Sequence, residues 1–238
     1  DIVRGERSDR GVWGYECIGM FRTYQDIEEY FAVNKITSYL GNTKDNIHPG
    51  MLIYRDVRGQ RNADGTYGEA DGVIDQNDYV KISNRVNNPW GFTLNFGGAY
   101  KNFSFSAQLG ANWGAYGLVQ TNLRQESYDD MEYKNLSAMW KDMYVYEDVL
   151  DANGNVVAAM NRNAKYPNLR YKEVNSQAST FWKVSAANIR LRNLTVAYNL
   201  PKEWLTPIGI SSCRLNLTCQ NLFSFYNPVV TKRNAVAE

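Results

Sequence analysis

Between Trp90 and Trp113 the chain reads WGFTLNFGGAYKNFSFSAQLGANW, and its side chains alternate between apolar and polar with a period of two. Phe92, Leu94 and Phe96 interleave with Thr93, Asn95 and Gly97. Beyond the break at AYKN, Phe103, Phe105, Ala107, Leu109, Ala111 and Trp113 interleave with Ser104, Ser106, Gln108, Gly110 and Asn112. Successive Cβ atoms of a strand point to opposite faces, so this period predicts strands with one apolar and one polar face, whereas a helix needs a period near 3.6. Two such runs around a short polar link predict an antiparallel hairpin over 90–113. Its second strand, at roughly 11 residues, is long enough to cross hydrocarbon when tilted.

The pattern returns further on. In FWKVSAANIRLRNLTVAYNLP, Leu194, Val196 and Tyr198 interleave with Thr195, Ala197 and Asn199; in CRLNLTCQNLFSF, Leu215, Leu217 and Cys219 interleave with Asn216, Thr218 and Gln220. Pro201 and the connector KEWLTPIGI separate the two runs, so a second hairpin is expected over 183–226. Strict alternation puts Arg190 and Arg192 on the face of Leu194, where they must lie outside any hydrocarbon.

The polar faces bear on which medium the apolar faces meet. A sandwich presses its apolar faces together and shows Lys and Glu to water; here the opposite faces hold Ser, Thr, Asn, Gln and Gly, which suits the wet, uncharged interior of a barrel. The links after Tyr100 and Pro201 are short, while those before Trp90 and between Trp113 and Phe181 are long. Outer-membrane barrels have that asymmetry, with short periplasmic turns and long outer loops. The expected fold class is all-β, the antiparallel strands of a transmembrane β-barrel with long extracellular loops containing short helices. On this reading 1–89 and 114–182 are loop regions, and 90–113 and 183–226 are hairpins.

The loop regions have content of their own. TYQDIEEYFAVNKITSYL places Ile27, Tyr30, Phe31 and Ile36 near helical spacing, with acidic residues toward the N-terminal end where the helix dipole favours them. EDVLDANGNVVAAM sets Asn-Gly between two β-leaning runs and reads as an exposed hairpin. With 26 Lys and Arg against 25 Asp and Glu the net charge is +1, and no basic block is present that could neutralise a run of phosphates, so nucleic acid is not an expected partner. No apolar run approaches the ~20 residues of a membrane-spanning helix, a criterion that leaves β-barrels open. Cys213 and Cys219 would sit about 20 Å apart on one strand by strand rise, too far to bond.

The stretch EADGVIDQND brings Asp71, Asp75 and Asp78 together, with a glycine after the first, in part of the spacing of a calcium loop; the Val73 carbonyl is a further oxygen. The other reading is an acidic turn whose side chains accept hydrogen bonds from nearby backbone amides, with no metal. Neither reading is catalytic. His48 is the single histidine, adjacent carboxylates such as Glu28-Glu29 do not converge on one bond, and no nucleophile elbow, Walker loop or dinucleotide fingerprint occurs. An enzyme is not expected. Trp113, Tyr116 and Trp140 are candidates for stacking on a sugar ring, the alternative being an interfacial aromatic girdle or packing among loops.

Taken in order, YRDV, DGVIDQNDYVKI, GGAYKNFSFSAQLGANWG, FWKVSAANIRLRNLTVAYNLPKEWL and CRLNLTCQNLFSF resemble the C-terminal part of the barrel of SusC/RagA-like TonB-dependent transporters, nutrient importers of Bacteroidetes outer membranes. The resemblance implies a large outer-membrane barrel around a plug, a SusD-like surface lipoprotein as partner, coupling to TonB through the plug, contact with lipid, and an oligosaccharide or peptide as substrate. Neither plug nor TonB box is recognisable here, and the pattern ends near NLFSFYNP before the last expected strands, so the chain reads as a segment of something longer. The family's acidic motif adds Asp56, since Asp56-Val57 matches its beginning and Asp71 to Asp78 its end. An insertion, RGQRNADGTYGEA, lies between, and Arg58 stands where an oxygen ligand would be wanted. The possible calcium set is then Asp56, Asp71, Val73, Asp75 and Asp78. The alternative to the importer is a soluble calcium-dependent carbohydrate-binding β-sandwich.

Overall fold

A computed structural model describes residues 11–124 and 138–228. In chain order the elements are β1 (Val12–Gly14), β2 (Cys17–Met20), α1 (Tyr24–Val33), β3 (Ser38–Tyr39), β4 (Leu52–Tyr54), β5 (Val73–Ile74), β6 (Val80–Ser83), β7 (Trp90–Tyr100), β8 (Phe103–Trp113), β9 (Tyr116–Leu118), β10 (Val149–Leu150), β11 (Val156–Ala158), α2 (Lys172–Asn175), β12 (Lys183–Ser185), β13 (Asn188–Asn199), α3 (Lys202–Leu205) and β14 (Arg214–Tyr226). Strand dominates, and among the described residues no helix is long and apolar enough to cross a membrane. The described residues divide into two compact units, one from 11–84, 117–124 and 138–184, the other from Arg85–Tyr116 and 185–228.

The first unit is stitched from short pairings: β1 with β6, β2 with β4 and β10 with β11 antiparallel, and β3 with β5 parallel. Its helix α1 starts where the sequence supplies a capping box. The Asp26 amide donates to the Thr23 hydroxyl at 3.1 Å, and the Asp26 carboxylate accepts from the Thr23 amide at 3.0 Å, which satisfies donors a helix start leaves free. One face of α1, Ile27 and Phe31, is buried, and the helix stops at Asn34 because Lys35 turns into the left-handed region (φ 53°). Ile36, expected on the helical stripe, is buried beyond the helix end.

That helix face meets a core of Tyr15, Phe21, Tyr39, Leu52, Tyr54, Ile74 and Trp182. Buried phenols need partners. Tyr39 donates to the Leu52 carbonyl at 2.7 Å and accepts from the Tyr54 amide at 2.8 Å, while Tyr54 donates to the Val174 carbonyl at 2.8 Å. Asn175, wholly buried, fastens three segments together. Its Oδ1 accepts from the Leu52 amide at 2.8 Å, and its Nδ2 donates to the carbonyls of Gly50 (3.0 Å) and Asn168 (2.7 Å).

The second unit is a four-stranded antiparallel sheet in the order β14-β13-β8-β7. Both alternating runs are strands over the expected residues, and the link between β7 and β8 is the two residues Lys101 and Asn102, Lys101 taking the left-handed conformation (φ 52°). β8 and β13 are neighbours although the whole stretch from Gly117 to Val184 lies between them in sequence. Among the described residues β7 and β14 are open edges and no closed barrel forms.

Candidate functional site

Register sorts the side chains of the sheet into rows that run across all four strands. On one face the rows are Tyr100, Phe103, Tyr198, Leu215; then Gly98, Phe105, Val196, Leu217; then Phe96, Ala107, Leu194, Cys219; then Leu94, Leu109, Leu191, Phe223. Among the described residues this face has no layer over it: Leu94 is 51% exposed, Phe105 47%, Leu217 66% and Phe223 56%. On the other face Asn95, Gln108, Asn193 and Gln220 form an amide row, beside a row of Gly97, Ser106, Thr195 and Thr218. Gln108 links the amide row, donating to Asn95 at 2.9 Å and accepting from Asn193 at 3.2 Å, and Thr195 and Thr218 share a hydrogen bond at 3.2 Å. The two rows line an open trough of about 630 Å3.

A double irregularity corrects the reading of Arg190 and Arg192. Leu191 pairs with Leu109 and Asn193 with Gln108, so Arg192 is an extra residue in β13; β14 also gains a residue here, where Asn221 has φ 52°. A β-bulge inverts the parity of a strand. Leu191 and Leu194, three apart, therefore share the apolar face. Arg190, paired with Gly110 and Ser224, and Arg192, whose guanidinium lies across Gly110, belong to the polar face with Gln108. A Cβ at residue 110 would come within 2.4 Å of Arg192 Nε, so this close approach requires glycine.

The aromatic candidates do not form one cluster in the described structure. Trp113 ends β8, exposed, with its ring edge-on to Phe92 at 6.1 Å between centroids, and Tyr116 starts β9, also exposed. Trp140 is in a 3-10 turn, Ala138–Asp142, and its side chain lies outside the described residues. Exposed Trp90 joins Trp113 at one end of the sheet, while Tyr100 and Phe103 mark the other.

The acidic segment folds as one loop of the first unit, and Asp56 does return to it. Its Oδ2 accepts from the Gly72 amide at 2.7 Å. Asp71 accepts from the Val73 amide at 3.0 Å, so Val73 serves as a donor there. Asp75 Oδ1 accepts from the Asn77 amide at 2.7 Å, and Asp78 accepts from the amides of Asp75 (2.9 Å), Val57 (2.7 Å) and Arg58 (3.2 Å). Arg58 adds the positive group, donating through Nε to the Asn77 carbonyl at 2.5 Å and through Nη2 to the Tyr79 carbonyl. Burial raises the Asp78 carboxyl above the ordinary range; the three amides oppose that rise and the charge of Asp56 adds to it. Among the carboxylate oxygens of this loop, Asp56 Oδ1 is the one buried without a partner. Calcium takes six to eight oxygens; in this loop most carboxylate oxygens, Asp56 Oδ2, Asp71 Oδ1 and those of Asp75 and Asp78, accept from amides instead. Among the described residues no cluster of His, Cys, Asp or Glu is arranged to hold a metal ion.

No protein-family profile and no curated protein matches the chain. Solved structures do. The chain is similar to part of the RagAB peptide importer in its closed-closed state, at 17% identity and a TM-score of 0.53, over 91% of this chain and 19% of that one. It shares that partial fold. The RagAB peptide transporter gives the same result, 17% identity and a TM-score of 0.52 over 89% of this chain and 19% of that one. The chain thus spans about a fifth of the length of the structures it matches, and the likeness is one of fold.

Proposed function

We propose that this chain is part of the wall of an outer-membrane β-barrel of the SusC/RagA kind, which imports oligosaccharides or peptides with a SusD-like lipoprotein and takes its energy from TonB through a plug outside these residues. One observation carries the reading: four long strands hold continuous apolar rows on a face that no described residue covers, while the face behind them is a trough of amides and hydroxyls. In water such a surface is an aggregation hazard. In a bilayer it is the expected wall. An 11-residue strand rising about 3.3 Å per residue and tilted by about 40° covers roughly 25 Å of depth, the height of the apolar band of such barrels. The aromatic residues at the two ends of the sheet suit interfacial girdles, the role we give Trp113 and Tyr116 ahead of stacking on a sugar. The alternative, a soluble calcium-dependent sandwich, needs a second sheet over the apolar rows and a completed metal shell.

In this role the chain acts by shape and polarity rather than by catalysis, and the acidic loop acts as a brace. Partition tests the reading. Produced with whatever polypeptide it is naturally joined to, the protein should stay with outer membranes through alkaline carbonate and need detergent for extraction. A folded monomer in plain buffer overturns the wall and favours the sandwich.

A further inference from the structure

We propose that Arg190 and Arg192 form a carboxylate-binding subsite on the polar face of the sheet, so that the solute taken there is anionic. This rests on the wall reading and names the substrate class it would favour. The strands β7, β8, β13 and β14 contain no Asp or Glu, and their three charged side chains are all arginines. Arg214 is engaged near the turn end, donating to Ser104 and Asn216 at 3.1 Å each. The other two are put on the polar face by the bulge. Arg190 is exposed and holds Asn188 Oδ1 through Nε at 3.2 Å, and its terminal nitrogens have no partner among the described residues. Arg192 lies over Gly110, with Nη2 at 3.3 Å from Asn112 when that amide turns its oxygen to it. Neither has a carboxylate partner among the described residues.

Two guanidinium groups two residues apart repel each other, and a face without acids does nothing to relieve it. An anion does. The planar fork of each group matches a carboxylate bidentately, and the neutral amide row beside it supplies donors and acceptors for the uncharged remainder of a peptide or sugar. Bulges commonly re-aim side chains next to binding sites, and here a bulge turns two charges away from the apolar face.

The test uses the full polypeptide in detergent or nanodiscs and calorimetric titration with two probe pairs: acetylated, amidated Gly-Gly-Glu-Gly against its Gln analogue, and digalacturonate against its methyl ester. At low salt the acidic member of at least one pair should bind about fivefold more tightly, the difference closing toward 0.5 M salt as the Debye length shrinks below about 5 Å. Which pair responds separates a peptide from a sugar source. R190Q/R192Q should abolish the preference, R190K/R192K should keep part of it, and Gly110→Ala, which displaces Arg192, should weaken it. Equal binding within both pairs, undetectable binding included, or a preference that survives R190Q/R192Q, overturns the subsite. A double variant that lowers Tm at low salt without altering any preference assigns the arginines to an internal ion pair and also overturns it. Failure of the wall reading shows separately, in the partition assay.

Discussion

The two units spend the same residue types in opposite ways. In the loop unit Tyr15, Tyr39, Tyr54, Phe21 and Trp182 are buried to 2% exposure or less and their polar atoms are paired inside; in the sheet Phe92, Phe96, Phe105, Leu217 and Phe225 stand out uncovered. Apolar burial is worth about 25 cal/mol per Å2, so a fold that leaves long rows of Phe and Leu bare forgoes its main driving force in water. On the wall reading proposed above, the loop unit is built for water and the sheet for a bilayer. The comparison argues for a membrane more strongly than strand count does, because each unit serves as a control for the other's composition.

The largest effects should come from neighbours on opposite faces. Leu94→Arg puts a charge in the middle of the apolar rows and is expected to cost about 2–4 kcal/mol of folding free energy in a bilayer, whereas Asn95→Arg, one residue away in the trough, should cost less than about 1 kcal/mol. Reversible unfolding into lipid vesicles measures both. Equal, small costs for the pair would break the contrast.

In the loop unit the corresponding blow is Asn175→Ala, which leaves the Leu52 amide and the carbonyls of Gly50 and Asn168 without their partner and is expected to cost about 2–4 kcal/mol. Hydrogen exchange should show the loss in β4 and α2 while β8 and β13 keep their protection. A loss spread evenly over both units would mean that they unfold as one.

Much of the sheet was legible because one face of each strand has a single chemistry, so alternation marked β7 and β8 residue by residue. The bulge was not, since nothing in NIRLRNLTV announces an extra residue; the sign was there only in retrospect, as Leu191 and Leu194 sitting three apart while the neighbouring β8 alternates. The loop core was illegible for another reason. Its strands are two to four residues long, and its decisive contacts, such as Leu52 with Asn175, join positions 123 apart, so no local period exists to read. The acidic motif could be recognised as a loop, but the sequence does not say whether carboxylates turn to amides or to an ion.

A smaller effect sharpens the account of the loop unit. Hydrogen bonds bring the Asp26 carboxyl below its ordinary range, although partial burial works the other way: the Thr23 hydroxyl and the amides of Arg22 and Thr23 donate to it, with the Arg22 guanidinium assisting. A lowered folded-state pKa stabilises above the unfolded value near 3.9 and is lost as pH falls through the folded one. Asp26→Asn should therefore cost about 1 kcal/mol at pH 7 through the weakened cap, and the difference from the parent protein should vanish by about pH 2. A pH-independent difference in Tm would show that the cap acts by shape alone.

The smallest expected effect is the most telling for the acidic loop. If calcium completed it with a dissociation constant near 10 μM, 1 mM calcium would add about 2.7 kcal/mol and raise Tm by several degrees. With Arg58 already donating to Asn77 and Tyr79, and the carboxylates of Asp56, Asp75 and Asp78 turned to amides, calcium against EGTA should move Tm by less than about 1 °C. Arg58→Gln supplies the other half of the test. Removing the guanidinium leaves the loop's negative charge unopposed, so the variant should unfold earlier and only then gain from calcium. A parent protein that responds strongly to the metal would show that Asp56 Oδ1, the carboxylate oxygen of this loop that is buried without a donor, is a ligand rather than a remainder.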